Sequence, residues 1–321
     1  MDYSVIVPVY NRPDEIDELL KSLTNQTYKN FEVIIVEDGS DLRCDHIVEK
    51  YSDQLAIQYF YKQNSGQGYS RNFGFEKAKG SYLIVFDSDC LIPSHYFEAV
   101  NRALAFHGYD AWGGPDRAHN SFSSIQKAIS YSMTSFFTTG GIRGRKNHIG
   151  TFHPRSFNMG ISRQVYEKTG GYRITRMGED IEFSLRIIES GFKTGLIEDA
   201  YVYHKRRTDF KQFYRQLRFF GRARINIKRF YPGELKLVHF LPVLFVIGLP
   251  IFLILTVTST GFLSKLILLY PAYAAVLFVD AFRTERNLKI SLLSMIAGFI
   301  QLTAYGIGFL KELSKDYKKS T

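Results

Sequence analysis

Along roughly the first two hundred residues the hydrophobic period keeps switching. Short β-rich runs alternate with helical spacing, which predicts a mostly parallel sheet covered by helices. Residues 4–9 read as a buried strand. From 14 to 24 the apolar positions fall at Ile16, Leu19, Leu20 and Leu23, a helical period. Residues 31–36 predict a second strand ending in Glu37-Asp38-Gly39-Ser40, 44–51 a helix, and 57–61 a third strand. A helix over 70–79 is stopped by Gly80, and a fourth strand, 82–86, runs straight into Asp87-Ser88-Asp89. Acidic residues thus follow two strands at their C-terminal ends, where open α/β sheets bind ligands.

After about residue 236 the pattern changes. Residues 239–259, 262–282 and 290–310 are apolar on all faces, and each run has about the 20 residues needed to cross a bilayer core of about 30 Å. The organisation expected is a catalytic domain over 1–225 and a membrane-embedded or amphipathic region over 226–321 with two to three hydrophobic helices. The loop with Arg283, Arg286 and Lys289, like the basic stretch before the first run, should be cytoplasmic, so the first two runs form a hairpin. A third full crossing would put Lys311, Lys315, Lys318 and Lys319 outside, against the same rule. Either the third run is re-entrant or interfacial, or the tail breaks the charge bias. The expected location is the inner, cytoplasmic membrane, with the catalytic part facing the cytoplasm.

Composition narrows the classes. With 321 residues and 45% hydrophobic content the chain is neither disordered nor fibrous. Two cysteines, Cys44 and Cys90, make no disulfide framework. The opening residues 1–7 lack the basic and long apolar regions of a signal peptide. A net charge of +10 raises the question of nucleic acid, but the basic residues concentrate between Lys205 and Lys236, beside the apolar runs, and near the C-terminus. Anionic lipid headgroups account for that distribution, and no nucleic acid partner is expected.

Several rim segments carry candidate chemistry. The first strand ends in Pro8-Val9-Tyr10-Asn11. Asp38, at the second strand's end, can accept from a base N–H or a ribose hydroxyl, or simply cap a turn. Residues 64–74, a glycine-bearing loop feeding a helix, offer backbone N–H groups and Arg71 to an anion, or are only a helix cap. Asp87 and Asp89 can divide the work, one facing a ribose and the other a hard divalent cation. Asp180, in Gly178-Glu179-Asp180, falls near a helix start, where the dipole holds a carboxylate ionised as a general base requires. An ordinary acidic cap has the same signature. His204 follows another strand-like run and is either structural or the completion of a metal shell beside Asp89.

Taken in order, Pro8-Val9-Tyr10-Asn11, Glu37-Asp38-Gly39-Ser40, Arg71-Asn72-x-Gly74, Asp87-x-Asp89 and Glu179-Asp180 resemble the family-2 glycosyltransferases of the GT-A fold, over roughly residues 3–225. The resemblance implies nucleotide binding by Pro8, Tyr10, Asn11, Asp38, Arg71 and Asp87. It implies a divalent metal, Mg or Mn, on Asp89 and His204, and catalysis by Asp180 with Glu179 beside it. Asp180 would deprotonate an acceptor hydroxyl that attacks the anomeric carbon opposite the leaving nucleotide, inverting configuration. The donor implied is a nucleotide-diphosphate sugar, UDP ahead of GDP. The acceptor is a saccharide, lipid-linked, in cell-surface glycan assembly.

Two departures stand out. Glu37 replaces the more usual aspartate, and the Gln-x-x-Arg-Trp signature of processive synthases has only Gln212-Phe213-Tyr214-Arg215-Gln216 as its counterpart, which speaks against polymerisation. Residues 218–224 read as a basic, aromatic helix at the membrane surface, suited to a lipid-phosphate acceptor. The stretch 112–158, with Phe122, Phe136, Phe137, Arg143, Arg145 and Lys146, either lines the acceptor side or is an ordinary helix and loop. Two alternatives remain: transfer to a polyprenyl phosphate, and a non-catalytic membrane scaffold or nucleotide-sugar sensor.

Overall fold

The computed structural model describes residues 2–140 and 152–320. Internal contacts divide the chain into two compact units, Met1–His119 with Ile142–Lys205 and Asn120–Gly141 with Arg206–Thr321.

The first unit opens with β1 (Tyr3–Val9), α1 (Pro13–Thr24), β2 (Phe31–Asp38), α2 (Asp45–Glu49), β3 (Ala56–Lys62), α3 (Gln67–Lys77) and β4 (Tyr82–Phe86). The strands β1 and β2 are apolar and buried on both faces, as helix-covered parallel strands must be. In α1 the stripe Ile16, Leu19, Leu20 and Leu23 is fully buried, with a proline in the first turn and Asp14 and Glu15 on the positive end of the dipole. After these come β5 (Cys90–Leu91), α4 (Tyr96–His107), β6 (Ala111–Gly113) and β7 (Asp116–Arg117).

The chain then passes through α5 (Ser124–Thr134) and α6 (Phe136–Thr139) of the second unit. It returns as β8 (Asn158–Ser162), α7 (Arg163–Thr169), α8 (Glu179–Glu189), β9 (Thr194–Leu196) and β10 (Val202–His204). Seven strands make one sheet in the order β3-β2-β1-β4-β8-β6-β9, parallel from β3 to β4, with β8 antiparallel to both β4 and β6. The fold is therefore the α/β GT-A type that the sequence predicts. Because β2 and β3 lie to one side of β1 and β4 to the other, the order reverses between β1 and β4. Their C-terminal ends frame the crevice where such sheets take ligands. A small second sheet, β5-β10-β7, registers His204 opposite Cys90 and so draws the end of β10 to the segment after β4.

Three boundaries differ from the sequence reading. The helix expected over 44–51 is only Asp45–Glu49. α3 starts three residues early, after Gly66 in the left-handed region (φ 92°), and its C-cap Ala78 is already extended. Gly80 therefore does not stop the helix. It lets the chain press against β1, where an added Cβ would lie 2.6 Å from the Ser4 nitrogen.

The second unit is helical: α5, α6, α9 (Phe210–Phe230), α10 (Leu241–Thr258), α11 (Leu269–Glu285) and α12 (Leu288–Ser320). The apolar run expected over 262–282 begins as a 3-10 helix, Leu263–Leu268. Pro271 has no N–H for the carbonyl one turn back, so regular α-helix starts only around it. Three helical stretches, Leu237–Thr258, Leu263–Glu285 and Leu288–Lys315, are long and apolar enough to cross a membrane. They differ in packing, with 6%, 11% and 44% of their apolar windows buried. α12 is thus the most buried of the three, although Leu292 and Ile296 stay exposed, while α10 and α11 present most of their apolar surface outward. Its partners include α9, through Phe213 and Leu217 against Ala297 and Ala304, and Ile225 against Phe309. On α11, Asp280 accepts from the Tyr131 and Ser135 hydroxyls at 2.6 and 3.1 Å, which ties it to α5.

Candidate active site

Arg71 is the hub of the first unit's rim. Its side chain is only 2% exposed; Nη2 donates to Asp87 Oδ1 at 2.9 Å, Nη1 to Glu179 Oε1 at 3.4 Å, and the guanidinium lies 5.3 Å over the Tyr172 ring. A buried guanidinium requires anionic partners, so α3 is coupled to the end of β4 and to the start of α8 at once. The Gln67 amide donates to the same Glu179 oxygen. Burial and the adjacent Asp180 push the Glu179 carboxyl above its ordinary range, against the opposing pull of Arg71.

Asp180 sits in the first turn of α8, entered through Met177 and Gly178, both with positive φ (64° and 98°). Its Oδ1 accepts from the Ile181 N–H at 2.9 Å and its Oδ2 from Arg155 Nη1 at 3.3 Å. The helix is anchored further down by buried Arg186, which grips Glu182 through two bonds and donates to the Thr169 and Gly171 carbonyls. Asp87, Arg71, Glu179 and Asp180 are therefore one cluster, and Tyr172 lies within electrostatic reach of all four.

Next along the rim, Asp89 Oδ2 pairs with Arg12 Nη1 at 2.8 Å and Oδ1 lies 3.1 Å from His204 Nε2. His204 stacks on Phe157, and Asp116 is 3.9 Å from its Nδ1, too far for a hydrogen bond. The donor atoms of Asp89, Cys90 and His204 lie within 4.8 Å of one another. A carboxylate and an imidazole suit a magnesium or manganese ion, whereas a thiol does not, and the Cys90 thiol is turned to the Phe157 carbonyl.

Asp38 is committed to its own loop. Its oxygens accept from the Ser65 and Gly66 N–H groups at 2.8 Å each and from the Lys62 ammonium. Burial alone would raise this carboxyl, but these donors hold it below the usual carboxylate value. The Gly68 N–H meets the Thr175 carbonyl at 3.4 Å. Two N–H groups of the loop and one in the first turn of α3 are thus bonded inside the protein.

Asn11, at φ 53°, receives the Asp41 and Leu42 N–H groups and donates its own to Ser40 Oγ; Pro8 is half-buried and Tyr10 is 52% exposed beside it. Glu37 is buried and accepts from the Cys44 N–H and the Tyr59 hydroxyl, a role internal to the fold.

Arg12, Gln67, Arg155 and Tyr172 escaped the sequence reading. Arg12 lies next to a rim motif, Gln67 within the 64–74 loop and Arg155 within the stretch 112–158, but none was marked by its own residue type. Within the stretch 112–158, Trp112 is a core residue of β6. Asn158 is buried, accepting from Tyr96 and donating to the Ala200 carbonyl. In the second unit Phe122 is buried, and Phe136 and Phe137 are exposed. Arg143, Arg145 and Lys146 lie outside the described residues.

The chain is similar to several known proteins. A glycosyltransferase of Rickettsia bellii is 42% identical over 88 residues, 27% of this chain and 13% of that protein. The minor teichoic acid biosynthesis protein GgaB of Bacillus subtilis is 26% identical over 224 residues, 65% of this chain and 23% of that one. The chain spans only 13% to 22% of the first three curated relatives. Among solved structures, the mannosyltransferase PcManGT of Pyrobaculum calidifontis, in complex with GDP-Man and Mn2+, superposes with a TM-score of 0.65 at 17% identity, covering 93% of this chain and 86% of its own. That likeness carries the fold. The family model described as glycosyl transferase family 2 matches residues 4–170, just over half of the chain, and the protein therefore belongs to glycosyl transferase family 2.

Proposed function

We propose that this glycosyltransferase moves a sugar from a nucleotide-diphosphate donor to a hydroxyl of a lipid-linked saccharide, with inversion, at a membrane. The observation that carries the reading is the Arg71 cluster, which links Asp87 at the crevice between β1 and β4 to the carboxylates that open α8.

Asp180 is the general base. It is partly accessible, receives a helix N-terminal N–H, and can take the acceptor's proton as its oxygen attacks the anomeric carbon. Asp87, held by Arg71, accepts from the ribose. Tyr10, Pro8 and Asn11 form the wall for the base. Asp38 acts from behind by fixing the loop at Ser65 and Gly66. Asp89 and His204 are the residues that fit a divalent cation, as the Mn2+ in complex with the Pyrobaculum calidifontis mannosyltransferase supports. When bound, such an ion neutralises the charge growing on the diphosphate. Cell-surface polymer assembly draws support from the teichoic acid relative. The exposed apolar faces of α10 and α11 support a membrane hairpin.

The test is a donor screen on detergent-purified full chain. UDP and GDP sugars are offered with native lipid extract and Mn2+, and released nucleotide is read. Turnover that vanishes in Asp180→Asn and Asp89→Ala is expected, and undiminished turnover in both would sink the assignment.

One observation favours a second reading, transfer to a polyprenyl phosphate. Arg155 brings a cation to 3.3 Å from Asp180, where an anionic acceptor would be welcome. A phosphate oxygen needs little help from a base, so Asp180→Asn would then keep substantial activity.

A further inference from the structure

We propose that Arg12 is the built-in counter-cation of Asp89. It yields that carboxylate to the divalent cation when donor binds, and its guanidinium then passes to the donor diphosphate. The inference rests on reading Asp89 as a metal ligand.

The two Asp89 oxygens are divided between different neighbours. Oδ1 faces His204 Nε2 at 3.1 Å, the pair that fits a metal, while Oδ2 is held by Arg12 Nη1 at 2.8 Å. A guanidinium and a metal ion on one carboxylate repel each other, so a cation arriving alone must displace Arg12 or bind weakly.

The backbone beneath Arg12 is fixed. Asn11 is pinned by three hydrogen bonds to residues 40–42, and Pro13 opens α1 immediately after. The side chain is not so confined: it is 29% exposed, and its second acidic neighbour, Glu15, is 3.8 Å away. Movement is therefore left to the side chain, over a range that stays on the crevice rim.

The charges favour a hand-over. Besides Asp89, Glu15 and Asp87 also act on Arg12, Asp87 being itself paired with Arg71. A divalent cation adds positive charge beside Arg12, and the diphosphate arriving with it brings negative charge that a displaced guanidinium can meet with two parallel N–H bonds. Metal and nucleotide then bind with positive coupling, and Arg12 is the residue that carries it. It touches donor in this scheme and is a binding residue rather than a proton-transfer group.

The experiment measures Mn2+ alone, by the loss of the free-ion paramagnetic resonance signal, on purified full chain in wild type, Arg12→Gln, Arg12→Lys and Asp89→Asn. Arg12→Gln should bind Mn2+ at least about fivefold more tightly than wild type. Arg12→Lys, which keeps the charge, should stay near wild type and shows that the effect is not a general loosening. In saturating Mn2+, UDP or GDP should bind Arg12→Gln about fivefold or more weakly by calorimetry. Unchanged or weaker Mn2+ binding in Arg12→Gln, with binding lost in Asp89→Asn, overturns the role of Arg12 and leaves the metal site standing. Unchanged nucleotide affinity overturns the hand-over. Mn2+ binding that survives intact in Asp89→Asn removes the metal reading and this inference with it.

Discussion

Glu179 and Asp180 are adjacent carboxylates in one helical turn, yet their surroundings give them different work. Glu179 is buried on Arg71 and Gln67, whereas Asp180 is partly open and meets Arg155. Asp180→Asn should lower kcat about 10²- to 10⁴-fold with the donor KM nearly unchanged, because Arg71 bonds to Asp87 and Glu179 and not to Asp180. Glu179→Gln should do the reverse. It strips a buried guanidinium of one counter-charge, costs about 3 kcal/mol of stability, and raises the donor KM through Asp87. Steady-state kinetics with a melting curve on each variant separates the two, and a shared kcat defect with equal KM would show that the pair acts as one unit.

Asp38 makes a pH prediction of definite sign. Its carboxyl is held below the ordinary value of 3.8, so the folded state favours the ion, and the stability gained is complete above that value. It is lost as pH falls through the lower, folded value. Asp38→Asn should therefore cost about 2 kcal/mol near neutrality, with the gap to wild type closing below about pH 4. Fluorescence melts of Trp112, the single tryptophan and fully buried, report on this unit. Parallel pH curves for the two proteins would mean that the donors around Asp38 are not what holds the loop.

At the scale of elements, hydrophobic period was enough where burial alone decides. The four parallel strands and α1 fall where β-rich runs and helical spacing put them, because β1, β2 and β4 are apolar runs buried on both faces and α1 buries one apolar stripe. It was not enough for β5 to β9, which are two to five residues long, too short to display a period, and exist through pairing with distant partners. The site shows the same division. Strand-end carboxylates could be read one motif at a time, but the bond from Arg71 to Glu179 joins residues 108 apart, and no local pattern encodes it.

Helix packing in the second unit is also hidden in sequence, and it can be tested. A Cβ on Gly308 would lie 2.1 Å from the Arg218 carbonyl oxygen, a backbone atom that no side-chain rotation relieves. Gly308→Ala should push α9 off α12 and cost about 2 kcal/mol, while Gly233→Ala, with nothing within 4 Å of its added carbon, should change stability by less than about 0.5 kcal/mol. Thermal melts followed by helical circular dichroism decide it, and equal melting temperatures would contradict the close approach of the two helices.

For the whole molecule, the packing of α12 bears on how many of the three long apolar helices would cross a bilayer. Length and apolarity alone would make α12 a third crossing. Its Glu312, however, is bonded to Arg222 at 2.9 Å and Arg229 at 3.3 Å, both on α9, a helix rich in arginine and lysine that cannot lie in hydrocarbon at low cost. The C-terminal end of α12 therefore belongs with the basic side. So does its N-terminal end, beside Arg283, Arg286 and Lys289. We propose on this basis that α12 does not cross, so that α10 and α11 form the hairpin and the basic tail stays on the side of the other basic segments. Because Cys44 and Cys90 are both buried, engineered single cysteines can be read against a quiet background. In intact cells, an impermeant maleimide should label Ser259→Cys, between α10 and α11, from outside. Asn287→Cys and Ser314→Cys, at the two ends of α12, should react only after the membrane is opened. Labelling of Ser314→Cys in intact cells alongside Ser259→Cys would restore the third crossing and require the Arg222 and Arg229 pairs to form across a polar opening in the bilayer.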